Sequence, residues 1–103
     1  MFKHLNKLNS LNLRDNEINQ IASDGFQGLN DLGHLILSSN KLSRIEANSF
    51  DGISNLKKLD MESNQIEKID VNGFRGLKNL EILRLQNYLW FVAALDRFHD
   101  SGR

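Results

Sequence analysis

This chain starts again every 24 residues, and that period limits what it can fold into more than any single residue does. Phenylalanines stand at Phe2, Phe26, Phe50 and Phe74, and asparagines at Asn16, Asn40 and Asn64, all at steps of 24. Between them run Leu8, Leu11 and Leu13; Leu32, Leu35 and Leu37; Leu56, Leu59 and Met61; Leu80, Leu83 and Leu85. A fixed period of about 20–50 residues marks a solenoid, in which each unit buries its apolar face only against its neighbours. A unit with nothing beside it has no core, so about three units are needed before any of them folds. Such a chain presents surfaces and rarely does chemistry.

Laid out from Leu8, the units read LNSLNLRDNEINQIASDGFQGLND, LGHLILSSNKLSRIEANSFDGISN and LKKLDMESNQIEKIDVNGFRGLKN, and a fourth opens as LEILRL. Over residues 2–85 this resembles the leucine-rich-repeat family, whose pattern is LxxLxLxxNxLxx(L/I)xxxxFxxLxx. The 24-residue length, with Phe at the nineteenth place, is similar to the typical class common in receptor ectodomains and matrix proteins. The resemblance implies an α/β solenoid. It would be a segment of a right-handed horseshoe, with a short parallel sheet on the concave side and a loop- and turn-rich convex side. The solenoid would span 1–86, with full units 8–31, 32–55 and 56–79 and partial units 2–7 and 80–86. A degenerate segment, 87–103, would follow it.

The LxxLxLxx stretches read as strands near 9–13, 33–37, 57–61 and 81–85, with alternate residues pointing inward. The next apolar pairs are Ile18/Ile21, Leu42/Ile45 and Ile66/Ile69. With each Phe and with Leu29, Ile53 and Leu77, they should fill the wedge behind the sheet. Each repeat Asn follows a strand, where the chain turns with backbone groups inside the solenoid. Its amide can bond those groups, and stacked copies would form a ladder. Gly28, Gly52 and Gly76 lie two residues after each Phe and suit a turn with positive φ.

The residues free to act are the outward ones on the strands. The first column is Ser10, His34, Lys58 and Ile82, and the second is Asn12, Ile36, Asp60 and Arg84. The third is Arg14, Ser38, Glu62 and Gln86. Neighbours in a column lie about 4.8 Å apart. Together they make a mixed polar face with isolated apolar points at Ile36 and Ile82, the expected protein-binding surface. Asp60/Arg84, Lys57/Glu81, Glu17/Lys41 and Asp51/Arg75 are expected as complementary pairs between successive units. Such exposed pairs are worth only about 0–1 kcal/mol each.

Composition narrows the partners. Thirteen basic residues balance thirteen acidic ones, which argues against nucleic acid or an anionic membrane as the main partner. The longest apolar run, Leu89–Leu95, is well short of the roughly 18 residues of a membrane span, so no membrane insertion by this segment is expected. Catalytic and cofactor signals are poor. His4, His34 and His99 occupy different places in the repeat, and there is no cysteine and no HExxH spacing. Ser38/Lys41 and Ser54/Lys57 satisfy SxxK, but in each a member is committed to the ladder or a strand start. No enzymatic activity, cofactor or metal is therefore expected.

The absence of cysteine admits two readings: an intracellular protein without disulfides, or an internal slice of a longer secreted or membrane-anchored chain. Phe2 and Leu5 already belong to the end of a repeat, so no secretory signal peptide is expected, and the slice is favoured. The leading expectation is a non-enzymatic protein-recognition module of a cell-surface receptor, adhesion or matrix protein. The alternatives are a cytoplasmic scaffold or regulatory subunit, or an inert fragment that self-associates through uncapped ends.

The register breaks after Leu85. Tyr88 stands where the ladder Asn should fall, and Leu89, Phe91, Val92 and Leu95 occupy previously polar places. Trp90, Ala93 and Phe98 still land on apolar ones. Three readings remain: a helical cap begun by Asn87 and ended by Gly102, a degenerate fourth repeat, and a non-native tail. The aromatic cluster could also be a docking patch.

Overall fold

Polar–apolar alternation such as Ser10-Leu11-Asn12 turns one side of a strand inward and leaves the other free. The computed structural model describes residues 5–85 and the backbone of 88–91, and its strands follow that alternation. They are β1 (Ser10–Asn12), β2 (His34–Ile36), β3 (Arg44–Ile45), β4 (Lys58–Met61), β5 (Lys68–Ile69), β6 (Ile82–Leu85) and β7 (Tyr88–Phe91). The main sheet has the order β1-β2-β4-β6-β7, parallel from β1 through β6. Its register is the sequence period: Leu11, Leu35, Leu59 and Leu83 face one another in a single row. The pairing continues past the strand ends, with Leu13 N–H donating to Ile36 O at 2.8 Å and Leu37 N–H to Asp60 O at 2.7 Å. The chain is a parallel β-solenoid.

Burial follows from which units have two neighbours. All seven apolar positions of the second unit, Leu32, Leu35, Leu37, Leu42, Ile45, Phe50 and Ile53, are fully buried. In the first unit Leu8, Leu11, Leu13 and Ile18 are only partly buried. In the third, Leu56, Leu59 and Met61 are buried, while Ile69, in the short strand β5, is half-buried. Behind the sheet the phenylalanines stack as a spine. Phe26–Phe50 and Phe50–Phe74 have ring centroids 6.2 and 6.0 Å apart and planes within 2° and 8° of parallel.

The convex side is rich in turns, as the resemblance implies. Among the described residues no α-helix occurs there, only turns at 23–28, 47–52 and 71–76. Positive φ angles at Asp24 (61°), Asn48 (67°), Gly28 (102°), Gly52 (93°) and Gly76 (95°) interrupt any helical run. A feature that was not expected lies between turn and wall: β3 and β5 pair in parallel as a second sheet, Arg44 opposite Lys68 and Ile45 opposite Ile69.

At the end of the main sheet, β7 holds the place a parallel strand of a further unit would take. It runs the other way, antiparallel to β6, with Ile82 opposite Phe91 and Leu85 opposite Tyr88. A helix starting after Asn87 is therefore not the conformation of residues 88–91. Backbone groups at the open edge of β6 are satisfied by strand pairing, which a helix cannot supply. The remainder of that expectation, 92–103, lies outside the described residues, as do Gln86 and Asn87.

Candidate partner-binding face

The outward residues of β1, β2, β4 and β6 form one wall because strand register carries the sequence period straight into space. Ser10, His34, Lys58 and Ile82 are register partners, as are Asn12, Ile36, Asp60 and Arg84. Ser10, Asn12, Arg14, Lys58 and Arg84 are exposed; His34, Asp60 and Glu62 are intermediate. Ile36 and Ile82, expected to project, are half-buried; Ile36 stands in register between Asn12 and Asp60, and Ile82 between Lys58 and Phe91. Ser38 is only 7% exposed and offers a partner little surface. The reason is local: the chain leaves the strand after Ile36, and Ser39 turns it with φ 57°. Gln86 is outside the described residues.

Part of this face is already engaged with itself. The Oδ1 atoms of Asn12 and Asp60 accept from the N–H groups of Arg14 (3.0 Å) and Glu62 (3.1 Å), tying each side chain to its own strand end. Arg84 reaches diagonally to Glu62 (Nη1–Oε1 3.4 Å) and not to Asp60, its register partner. Lys57 and Glu81 pair as expected at 3.7 Å, whereas Glu17/Lys41 and Asp51/Arg75 form no ion pair. Lys58 has no ion-pair partner among the described residues. It borders a shallow depression of about 240 Å³ lined by His34, Lys58, Leu59, Asp60, Ile82 and Arg84. A lone cation, a carboxylate with a free oxygen and an isoleucine in one dent can contact a mixed polar and apolar protein surface. Among the described residues, no three His, Asp or Glu side chains group as a metal site, and no helix is long and apolar enough to cross a membrane.

The repeat asparagines bond backbone groups behind this wall and leave its face free. Asn40 donates to the carbonyls of Leu13 (3.0 Å), Leu37 (3.0 Å) and Ser38 (3.1 Å), and its Oδ1 accepts from Ile18 N–H (3.1 Å). Asn64 repeats this one unit on, with Leu37, Met61, Glu62 and Leu42. Each amide thus ties its own turn to the unit before. Asn16 makes the within-unit bonds to Leu13 and Arg14.

Sequence reasoning missed three supports. Asn55 and Asn79 donate to the carbonyls of Asn30 and Ser54, both at 2.8 Å, forming a second ladder at the other end of the strands. Its signal was present, since residues 55 and 79 share the 24-residue step. Asp15, Ser39 and Ser63 each adopt φ near 60°, one per unit, just before the ladder Asn. Asp70 reaches back one unit, accepting from Ala47 N–H (3.2 Å) and pairing with Arg44 (3.5 Å).

A sequence profile of the family described as leucine rich repeat matches residues 1–42 and 31–87. A comparison with curated proteins gives no match. Among solved structures, the chain is similar to the Toll–Spatzle complex, described as a molecular hub in Drosophila development and innate immunity. There it shows 30% identity and a TM-score of 0.77, covering 82% of this chain and 11% of that one; a glycosylated form gives the same values. Human 5T4, also described as Wnt-activated inhibitory factor 1 and trophoblast glycoprotein, gives 25% identity and a TM-score of 0.70 over 76% of this chain and 29% of that one.

Proposed function

This chain belongs to the leucine-rich-repeat family, and on that basis we propose that it is a non-enzymatic protein-recognition module whose sheet wall reads a protein partner. The observation that carries the reading is a division of labour on the strands. Inward leucines and the two asparagine ladders consume the structural groups, while His34, Ile36, Lys58, Asp60, Ile82 and Arg84 remain in a continuous outward patch around a dent. A mixture of charged and aliphatic side chains on a rigid sheet suits protein contact.

Its setting is a cell-surface receptor, adhesion or matrix protein longer than this chain. Two things support that: the chain spans small fractions of the proteins it resembles, and one of these is described as a glycoprotein while another was solved glycosylated. Glycans of that kind are added on the secretory route. A sequence of 103 residues without cysteine supports a second setting, an intracellular scaffold or regulatory subunit docking through the same face. The experiment is a screen of displayed ectodomains and cytosolic proteins for binders, scored against Ile36→Asp, Arg84→Glu and the convex Val71→Lys. Loss of binding in the first two with retention in the third supports the wall. The reverse pattern overturns it, and the class of the captured partner decides the setting.

A further inference from the structure

In the main sheet β7 lies last in order, with β6 on one side and, among the described residues, no strand on the other. Alternate main-chain N–H and C=O groups of such an edge strand point away from the sheet and seek partners. Exposed edges are normally blunted by lysine, proline or a bulge. Tyr88-Leu89-Trp90-Phe91 contains no charge, proline or glycine, and three of its four residues are aromatic types favoured in strands. The opposite edge, β1, is different in kind: Ser10 and Asn12 are exposed and polar.

We propose that the outer edge of β7 is a self-association site, at which a second copy of this chain adds its own β7 about a two-fold axis. Three arguments select a second copy over a foreign strand. A two-fold axis lying between identical strands, normal to the sheet, pairs them antiparallel, and β7 is already antiparallel to β6, so the same alternation continues across the junction. An uncharged strand edge is complementary to itself without any matching of charges. The chain has formal net charge +0, so no long-range repulsion separates copies. The contact is isologous and closes at a dimer, because each copy offers one such edge among its described residues.

Light scattering after gel filtration and amide hydrogen exchange, both on the full chain over a range of concentrations, test this. The expected mass rises from 11.8 kDa toward twice that value, and protection within 88–91 rises with it. Leu89→Lys is expected to restore the single-chain mass with the denaturation midpoint that wild type shows at dilutions where it is a single chain, whereas Lys58→Glu on the wall leaves the dimer intact. The wild-type exchange profile decides the matter even if Leu89→Lys does not fold. The proposal is overturned by a single-chain mass at every concentration, by growth beyond the dimer, or by association that protects 8–26 instead. It is equally overturned by protection at 88–91 that ignores concentration, which would mean that the chain's own tail covers the edge.

Discussion

One amide decides whether each turn behind the wall can be dry. Asn40, 8% exposed, satisfies three carbonyls and one N–H spread over two units. Asn40→Ala leaves these buried groups unpaired and is expected to cost about 1–3 kcal/mol in urea denaturation. Asn48, in the same unit but on the convex side, looks from sequence like a neutral surface position. Its φ of 67° makes it otherwise. Asn48→Ala keeps a Cβ in the left-handed region but loses the short amide that eases it there, at up to about 1 kcal/mol, whereas Asn48→Gly removes the Cβ and changes stability little. The expected order of loss is therefore Asn40→Ala, then Asn48→Ala, with Asn48→Gly near zero. A midpoint for Asn40→Ala equal to that of Asn48→Gly would refute the ladder.

At the scale of the element, the stacked spine and the tight convex turns limit how units approach one another. Phe50 is fully buried between two parallel rings, so Phe50→Ala should lose about 3–5 kcal/mol. Val71→Ala, at a position 62% exposed on the same side, should stay within about 0.5 kcal/mol of wild type. Glycines separate in the same way. A Cβ added at Gly52 would sit 3.0 Å from Gln27 Cα, on a residue with φ 93°. At Gly33 it would meet only Asn9 O, at 3.7 Å. Gly52→Ala is expected to destabilise by more than about 1 kcal/mol and Gly33→Ala to be near neutral. Thermal melts of the two variants check this, and equal melting temperatures would mean that the convex turns do not set the unit spacing.

For the whole molecule the limiting quantity is area. Four strands about 4.8 Å apart and five residues at about 3.3 Å make a wall of roughly 20 by 15 Å. That is about 300 Å², against about 800 Å² per partner in a standard interface. The isolated chain is therefore expected to bind its partner weakly, and a longer parent segment to bind it much more tightly. Calorimetry on both lengths measures the difference. Equal affinities would place the whole contact on this wall. Within that footprint Arg84→Glu should weaken binding more than Lys57→Glu, since Arg84 lines the central dent and Lys57 lies at the rim in an exposed pair with Glu81.

Periodicity was enough to assign the solenoid, because the 24-residue step of Leu11, Leu35, Leu59 and Leu83 becomes strand register with no long-range choice left to make. The first asparagine ladder and the positive-φ glycines were legible for the same reason: both recur at the 24-residue step that sets the strands. What the sequence misplaced, such as the expected Asp60/Arg84 pair, or left open depends on contacts between units. Whether Arg84 takes Asp60 or Glu62 turns on side-chain reach across strands, and the burial of Ser38 on where the backbone leaves the sheet. The short β3–β5 sheet exists because stacking brings two two-residue segments alongside one another. Past Leu85 the repeat supplies no register; β7 begins only two residues after β6, a separation that permits an antiparallel neighbour and is too short for the crossover a parallel one needs, and the open edge of β6 gives that strand its partner.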